Sequence, residues 1–457
     1  MNTTTASTRT EAIVTAPVAS TILRLTAPMI GGIIALMLLG IADAYFIGQL
    51  GLNQLAALGF VLPVTYGVNS IGIGIGMALS VLVSRYFGEQ KIALAARLIT
   101  DSRLLIIVLG ITLQVALYFV MASLFRLMGA EGDVHTHTME FAVLWLPVVP
   151  IMLLTLTGNT TLRAIGSPAK SGAILTLLAV SNGLLDPLFI FGYGPLPGLG
   201  MGGAALATGV AWLITFAASD YVLGVQEKLI LRGKFRRDIL MSNWQQLLTI
   251  GIPAIFANLM TPLAAAILTA MVARYGAEAV AGFTVAARIE ALCLLVVFAL
   301  SSTLPTFIGQ NIGAGRADRA HYALFGALRF SIIFQVVVWI LMLFSATAIG
   351  SAFSNSQQVV DIISTYLWVV PFSYGAQAVA ILVMVALNVL KRPKTALLIT
   401  VCRLLLINLP LAYLGGQIGA LSGLFYGFAA GNIISGIIAW KIMNTVWQVE
   451  ANKQFSW

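Results

Sequence analysis

Apolar residues occupy this chain in long blocks, and the polar positions fall between them as short clusters of glycine, proline and charge. A block of about 18 or more apolar residues, at ~1.5 Å rise per residue, is long enough to cross a ~30 Å hydrocarbon layer as a helix. Breaking the chain at the clusters predicts twelve spans, at roughly 19–48, 57–84, 98–122, 139–162, 171–192, 200–224, 247–272, 280–309, 321–346, 360–388, 396–414 and 418–446. The expected fold class is therefore all-α: a polytopic membrane protein with twelve transmembrane helices.

Composition agrees with the pattern. The 457 residues are 59% hydrophobic and 9% charged, with a mean hydropathy of +0.97, whereas a soluble domain carries about a quarter charged residues. The formal charge of +9 would fit a nucleic-acid partner only if it clustered on a face, and here it sits between spans. Lys and Arg near span ends orient a membrane protein, because basic loops stay on the cytoplasmic side. One side collects the basic residues from Arg85 to Arg103, Arg163 and Lys170, Lys228 to Arg237, Arg316 to Arg329 and Lys391 to Lys394; the other collects only Arg126 and Arg274. This places both termini on the cytoplasmic side. The opening "MNTTTASTRTEAIVTAP" is polar and lacks an apolar core, so it does not read as a signal peptide.

Five segments follow: a tail over 1–18, a first six-span lobe over 19–226, a basic linker over 227–243, a second lobe over 244–446 and a tail over 447–457. The lobes overlay at a shift of 225 residues, which aligns Pro28 with Pro253, Gly51 with Gly276, Gly88 with Gly313 and Pro168 with Pro393. Six spans leave each half inserted in the same direction, so the halves are two pseudo-symmetric bundles, an arrangement characteristic of transporters.

Ionisable groups inside spans narrow the chemistry, since a carboxylate there costs ~2.5 kcal/mol or more and survives when it faces an interior. Asp43 lies about five residues inside the outer end of span 1, or ~7 Å by helix rise. Asn182 and Asp186 on span 5 are four apart and share a face at similar depth, and Thr208 on span 6 lies nearby in depth. Two carboxyls in one dry site repel each other when both are ionised, which suits the pair to holding and releasing a proton. The same oxygens would also suit Na⁺, giving Asp43, Asn182, Asp186 and Thr208 as a candidate metal set. Purely structural hydrogen bonding is the rival reading for Asp43, and for Asp186, which precedes Pro187. Pro28 interrupts the hydrogen bonding of span 1 and offers a hinge.

The remaining polar groups read otherwise. Arg288 and Glu290 on span 8 and Arg403 on span 11 are expected to form a structural charge network. Cys293 and Cys402 read as small core residues, and His135, His137 and His321 fall in connecting segments without further metal ligands around them. The "GIGIG" run at 72–76 lies inside a span and is no nucleotide fingerprint. Gly415, Gly419, Gly423, Gly427 and Gly431 repeat every four residues, as a close-packing face of span 12 would. No HExxH, histidine cluster or Ser/Lys dyad lies within a span, so an enzyme is not expected, nor a cofactor.

The stretches "PMIGGIIALMLLGIADAYFIGQLGLNQLAALG", "LRAIGSPAK" and "FIGQNIGAGRADRA" resemble the multidrug and toxic compound extrusion (MATE) family, in its DinF-like branch, over nearly all of residues 20–445. The resemblance implies two V-shaped lobes, and a cation-coupled antiporter that exports amphipathic or cationic drugs by alternating access, with H⁺ or Na⁺ as coupling ion. It implies Asp43 as the key acid, Asn182, Asp186 and Thr208 as its partners, and Asn159 as a polar residue of the substrate cavity together with Asp43 and Asp186. Another branch uses acids on spans 7 and 10; here span 7 has none and span 10 has only Asp361 at its edge. The rival function is a lipid or polysaccharide-precursor flippase of the same superfamily. Expected partners are small-molecule drugs and the bilayer, with no nucleic acid, around a monomer.

Overall fold

The computed structural model describes residues 3–194, 196–231 and 236–452. Arg232 and Lys234 of the basic linker, and the C-terminal tail from Lys453 onward, lie outside the described residues. The chain is helical almost throughout. A short helix α1 (Thr3–Thr15) precedes α2 (Val18–Leu50), α3 (Leu52–Gly88) and α4 (Ile92–Leu127). Span 4 is α5 (Gly132–Trp145) joined to α6 (Val149–Ala164) through a 3-10 turn at Leu146–Val148. Next come α7 (Pro168–Ile190), a two-residue hairpin of β1 (Gly192–Tyr193) and β2 (Leu196–Pro197), and α8 (Gly200–Tyr221).

The second half runs through α9 (Arg237–Ala273), α10 (Ala277–Cys293), α11 (Leu295–Gly313) and α12 (Ala317–Phe353). Span 10 is α13 (Gln357–Val369) joined by a 3-10 turn at Val370–Ser373 to α14 (Tyr374–Val389). Then α15 (Pro393–Val401) passes through a π-helical stretch, Cys402–Asn408, into α16 (Leu409–Asn452).

Eleven helical segments among the described residues are long and apolar enough to cross a membrane. The last of them, Pro393–Glu450, comprises two spans, 11 and 12, which separate where the backbone leaves helical geometry at Gly419 (φ −127°, ψ 27°) and Ala420 (φ 51°, ψ −142°). That turn corrects the expected glycine face. Gly415 precedes it and Gly423 and Gly427 follow it, so the glycines line two arms that face each other: a Cβ on Gly415 would lie 2.1 Å from the Gly423 carbonyl oxygen, and one on Gly427 2.0 Å from that of Leu411. A period of four marked a helical hairpin, not one continuous face.

The internal repeat is visible in the backbone. Positive φ recurs at Gly51 and Gly276 (141° and 105°), Gln90 and Gly315 (58° and 72°), and Gly166 and Lys391 (80° and 55°). Each pair is separated by the 225-residue shift that aligns the sequences.

Two compact units result. In the first, which runs to Ile255 apart from residues 17–22, α3 packs on α5 and α6, α4 on α6, and α7 on α8. Met121, Phe125, Ala142 and Leu146 form a buried cluster there, covered by Phe60 and Val64. In the second, from Phe256 onward, α12 packs on α13 and α14, α14 on α16, and α10 on α13. Both cysteines are free. The histidines lie on helices, not in connections: His135 and His137 in α5, and His321 in α12, where it packs against Phe325 and Trp447.

Candidate functional site

Helices α2 and α7 bring the predicted acids together. The Asn182 amide donates to Asp43 Oδ1 at 3.3 Å, and the carboxyls of Asp43 and Asp186 lie close enough to act on each other electrostatically. Asp186 and Asn182 are 1% and 2% exposed, one helical turn apart on the same face of α7, while Asp43 is half-buried. Asp186 Oδ2 is buried with no hydrogen-bond partner. A buried carboxylate oxygen without a donor is costly, and a proton bound on either acid supplies one for the pair.

Not every expected member joins. Thr208 on α8 is half-buried, and no hydrogen bond links it to either acid among the described residues. Asn159 is buried on α6, its Oδ1 unpartnered; its neighbour Gly158 packs on Ser219, toward the end of α8 that leads to the basic linker. Pro28 lies within α2, which runs through it without a break. Among the described residues no three or more His, Cys, Asp or Glu side chains gather into a metal-binding group.

The expected charge network changes in membership. Glu290 accepts hydrogen bonds from the Tyr366 hydroxyl and, at 3.0 Å, from Gln377 Nε2, with the buried Arg403 guanidinium as its counter-charge. Arg288, two residues along α10, points elsewhere and is exposed, as a two-residue step on a helix requires.

Two further clusters were not anticipated, and both lie in the first unit. Asp101, fully buried, pairs with Arg97 at 3.0 Å and accepts from Asn243 Nδ2 at 2.8 Å, while its carbonyl accepts from Trp244 Nε1 at 2.9 Å. The i,i+4 spacing of Arg97 and Asp101 was the available signal; the long-range partners left none. Glu227 is shared by Arg9 of α1 at 3.0 Å and Lys170 of α7 at 2.8 Å. Burial alone would raise the Glu227 carboxyl, but these two cations outweigh it and hold the group below the usual carboxylate range.

Comparison with known proteins gives a consistent picture. The MatE family model matches residues 28–188 and again 253–414, one match per half. A relative from Shewanella oneidensis named FAD transporter is 36% identical, over 95% of this chain and 96% of its own length. The probable multidrug resistance protein YoeA of Bacillus subtilis is 25% identical over 71% of each chain. Among solved structures, that of a mutant of the Vibrio cholerae MATE transporter VcmN superposes with a TM-score of 0.91 at 28% identity, covering 98% of this chain and 100% of that one.

Proposed function

The chain belongs to the MatE family of membrane transporters, and from that premise we propose that it is a secondary antiporter exporting an organic solute from the cytoplasm in exchange for inward H⁺. The observation that carries this reading is the acid pair Asp43 and Asp186, bridged by Asn182 and holding a buried carboxylate oxygen without a donor. A proton arriving from outside neutralises the pair and removes the negative charge that retains a cationic substrate. The substrate leaves, and loss of the proton to the cytoplasm restores the charge. Na⁺ at the same oxygens is the alternative coupling ion. Both termini are assigned to the cytoplasm of a bacterial inner membrane.

A second reading of the substrate rests on the 36% identical relative named FAD transporter. FAD is an anion through its pyrophosphate, and an ionised acid pair would repel it. A cation competes with the proton, which makes an antiporter; an anion binds best alongside the proton, so the two leave together and the inside-negative potential assists.

The sign of coupling therefore separates the readings. Proteoliposomes are loaded with FAD or with a fluorescent cationic dye, and efflux is followed under imposed pH or Na⁺ gradients for wild type and Asp43→Asn. Dye efflux driven by external acid and lost in Asp43→Asn supports the antiporter. FAD efflux that external acid slows supports the second reading, and gradient-driven efflux that survives Asp43→Asn removes the acid pair from the mechanism.

A further inference from the structure

Helix α2 meets α7 at two levels. The upper contact is the Asp43, Asn182 and Asp186 group, and the lower is a seam of small residues. There a Cβ on Gly172 would lie 2.4 Å from the Pro28 carbonyl oxygen, and one on Gly32 would lie 3.1 Å from the Gly172 Cα and carbonyl oxygen. Real Cβ atoms do not approach a backbone oxygen at 2.4 Å, so the two backbones sit closer than any side chain at 172 permits. Between the two levels α2 is thinly held. Leu25, Thr26, Met29 and Gly32 are buried, Ile47 is buried, and no residue from Ile33 to Phe46 is.

The internal repeat shows that this seam is not demanded by the scaffold. At the 225-residue shift Gly172 corresponds to Leu397 and Gly32 to Ala257, while Pro28 corresponds to Pro253. Only the half that carries the acid pair carries the glycines.

We propose that Gly172 is a positioning residue for the coupling site: its contact with the Pro28 carbonyl fixes the separation and register of α2 against α7, and so sets how closely Asp43 approaches Asn182 and Asp186. The 3.3 Å bond from Asn182 to Asp43 is already long, so a small outward shift of α2 breaks it. The charged groups acting on the pair among the described residues are the two acids themselves, which leaves their separation as the controlling distance. This inference rests on the acid pair being the coupling site.

The test is a graded set of glycine-to-alanine substitutions in the full-length protein, reading efflux against external pH, each curve normalised to its own maximum. Gly172→Ala meets backbone, Gly32→Ala meets a softer contact, and Gly31→Ala and Gly183→Ala meet nothing within 4 Å, the last lying beside Asn182 on the same helix. Parting two carboxyls removes the repulsion that favours proton uptake, so the Gly172→Ala midpoint is expected to fall by roughly half a pH unit or more. Gly32→Ala should fall by less, and the two controls should overlay wild type. Should Gly172→Ala not yield folded protein, Gly32→Ala carries the test.

Midpoints of the seam variants that coincide with wild type, or a Gly183→Ala shift as large as theirs, overturn the inference. Failure of the underlying reading looks different: Asp43→Asn would then keep its coupled efflux. If Asp43→Asn loses coupling while the seam variants titrate like wild type, the inference alone is wrong.

Discussion

The two halves share a backbone and exchange their polar chemistry. Where the first half carries Asp43, Asn182 and Asp186, the second carries Leu268, Ile407 and Leu411 at the repeat shift. Where the second carries Glu290, Tyr366, Gln377 and Arg403, the first carries Thr65, Phe141, Met152 and Leu178. Neither set is needed to build a six-span bundle, since the other bundle forms without it. The sets also differ in kind. Glu290 has two donors and a cation around it, the partners a buried carboxylate requires to stay where it is. The first-half acids face each other, with one amide between them and an oxygen left over. A satisfied network holds structure; an unsatisfied pair can change state.

The sharpest way to break this contrast is at Glu290. Glu290→Ala strips the Tyr366 hydroxyl and the Gln377 amide of their acceptor and the buried Arg403 guanidinium of a nearby negative charge, and is expected to cost about 3 kcal/mol, read as a large drop in detergent thermal stability. Glu290→Gln keeps the shape and can still accept from Gln377 while its own amide donates to the Tyr366 oxygen, so it should cost less than the alanine and should retain proton-driven efflux. Loss of coupling in a well-folded Glu290→Gln protein would move the coupling site into the second half.

Transplanting the acid is the next test. Leu268→Asp places a lone carboxyl at the repeat counterpart of Asp43, where Leu268 is 6% exposed. It is expected to destabilise by ~2.5 kcal/mol and to restore no coupled efflux to Asp43→Asn, because no partner pair waits for it. Rescue of efflux would show that an acid at that level suffices alone.

The smallest effect is expected at Glu227, a paired acid in the first unit that lies outside the spans. Its carboxyl is held below its unfolded value, so its stabilisation of α1 docking is complete above the ordinary carboxylate range and fades as pH falls through the lowered value. The hydrogen-exchange protection factors of residues 7–15, each taken against the intrinsic rate at the same pH, should therefore fall on acidification in the wild type. In Glu227→Gln the protection factors should be lower at neutral pH and nearly independent of pH, at a cost of about 1 kcal/mol or less because Lys170 is partly exposed.

What the sequence made legible follows the range of each signal. The spans were readable because twenty apolar residues in a row have few other uses, and the repeat because its prolines and glycines recur at one interval. Asp43, Asn182 and Asp186 were readable because depth along a helix is a count of residues. Thr208 shows the limit of that count, since equal depth says nothing about which way a side chain points around its helix. Arg288 was misjudged as a network member for a related reason: only the packing of α10 decides which of two nearby charges faces inward. The break between spans 11 and 12 was readable to within a few residues of the Gly419–Ala420 turn, but the role of the glycines was not, because glycine at every fourth position serves a straight packing face and a closed hairpin equally well.

The three matched turns also bear on ancestry. At each the backbone keeps a positive φ across the repeat, yet two of the three pairs differ in residue: Gln90 answers to Gly315, and Gly166 to Lys391. Glycine adopts that conformation freely and the other residues do so under strain. The shape of the turn has thus outlasted the amino acid that favoured it. A chain that doubled once, and then drifted, would leave this kind of record: conformation inherited in duplicate, with side chains free to take up separate trades in each copy.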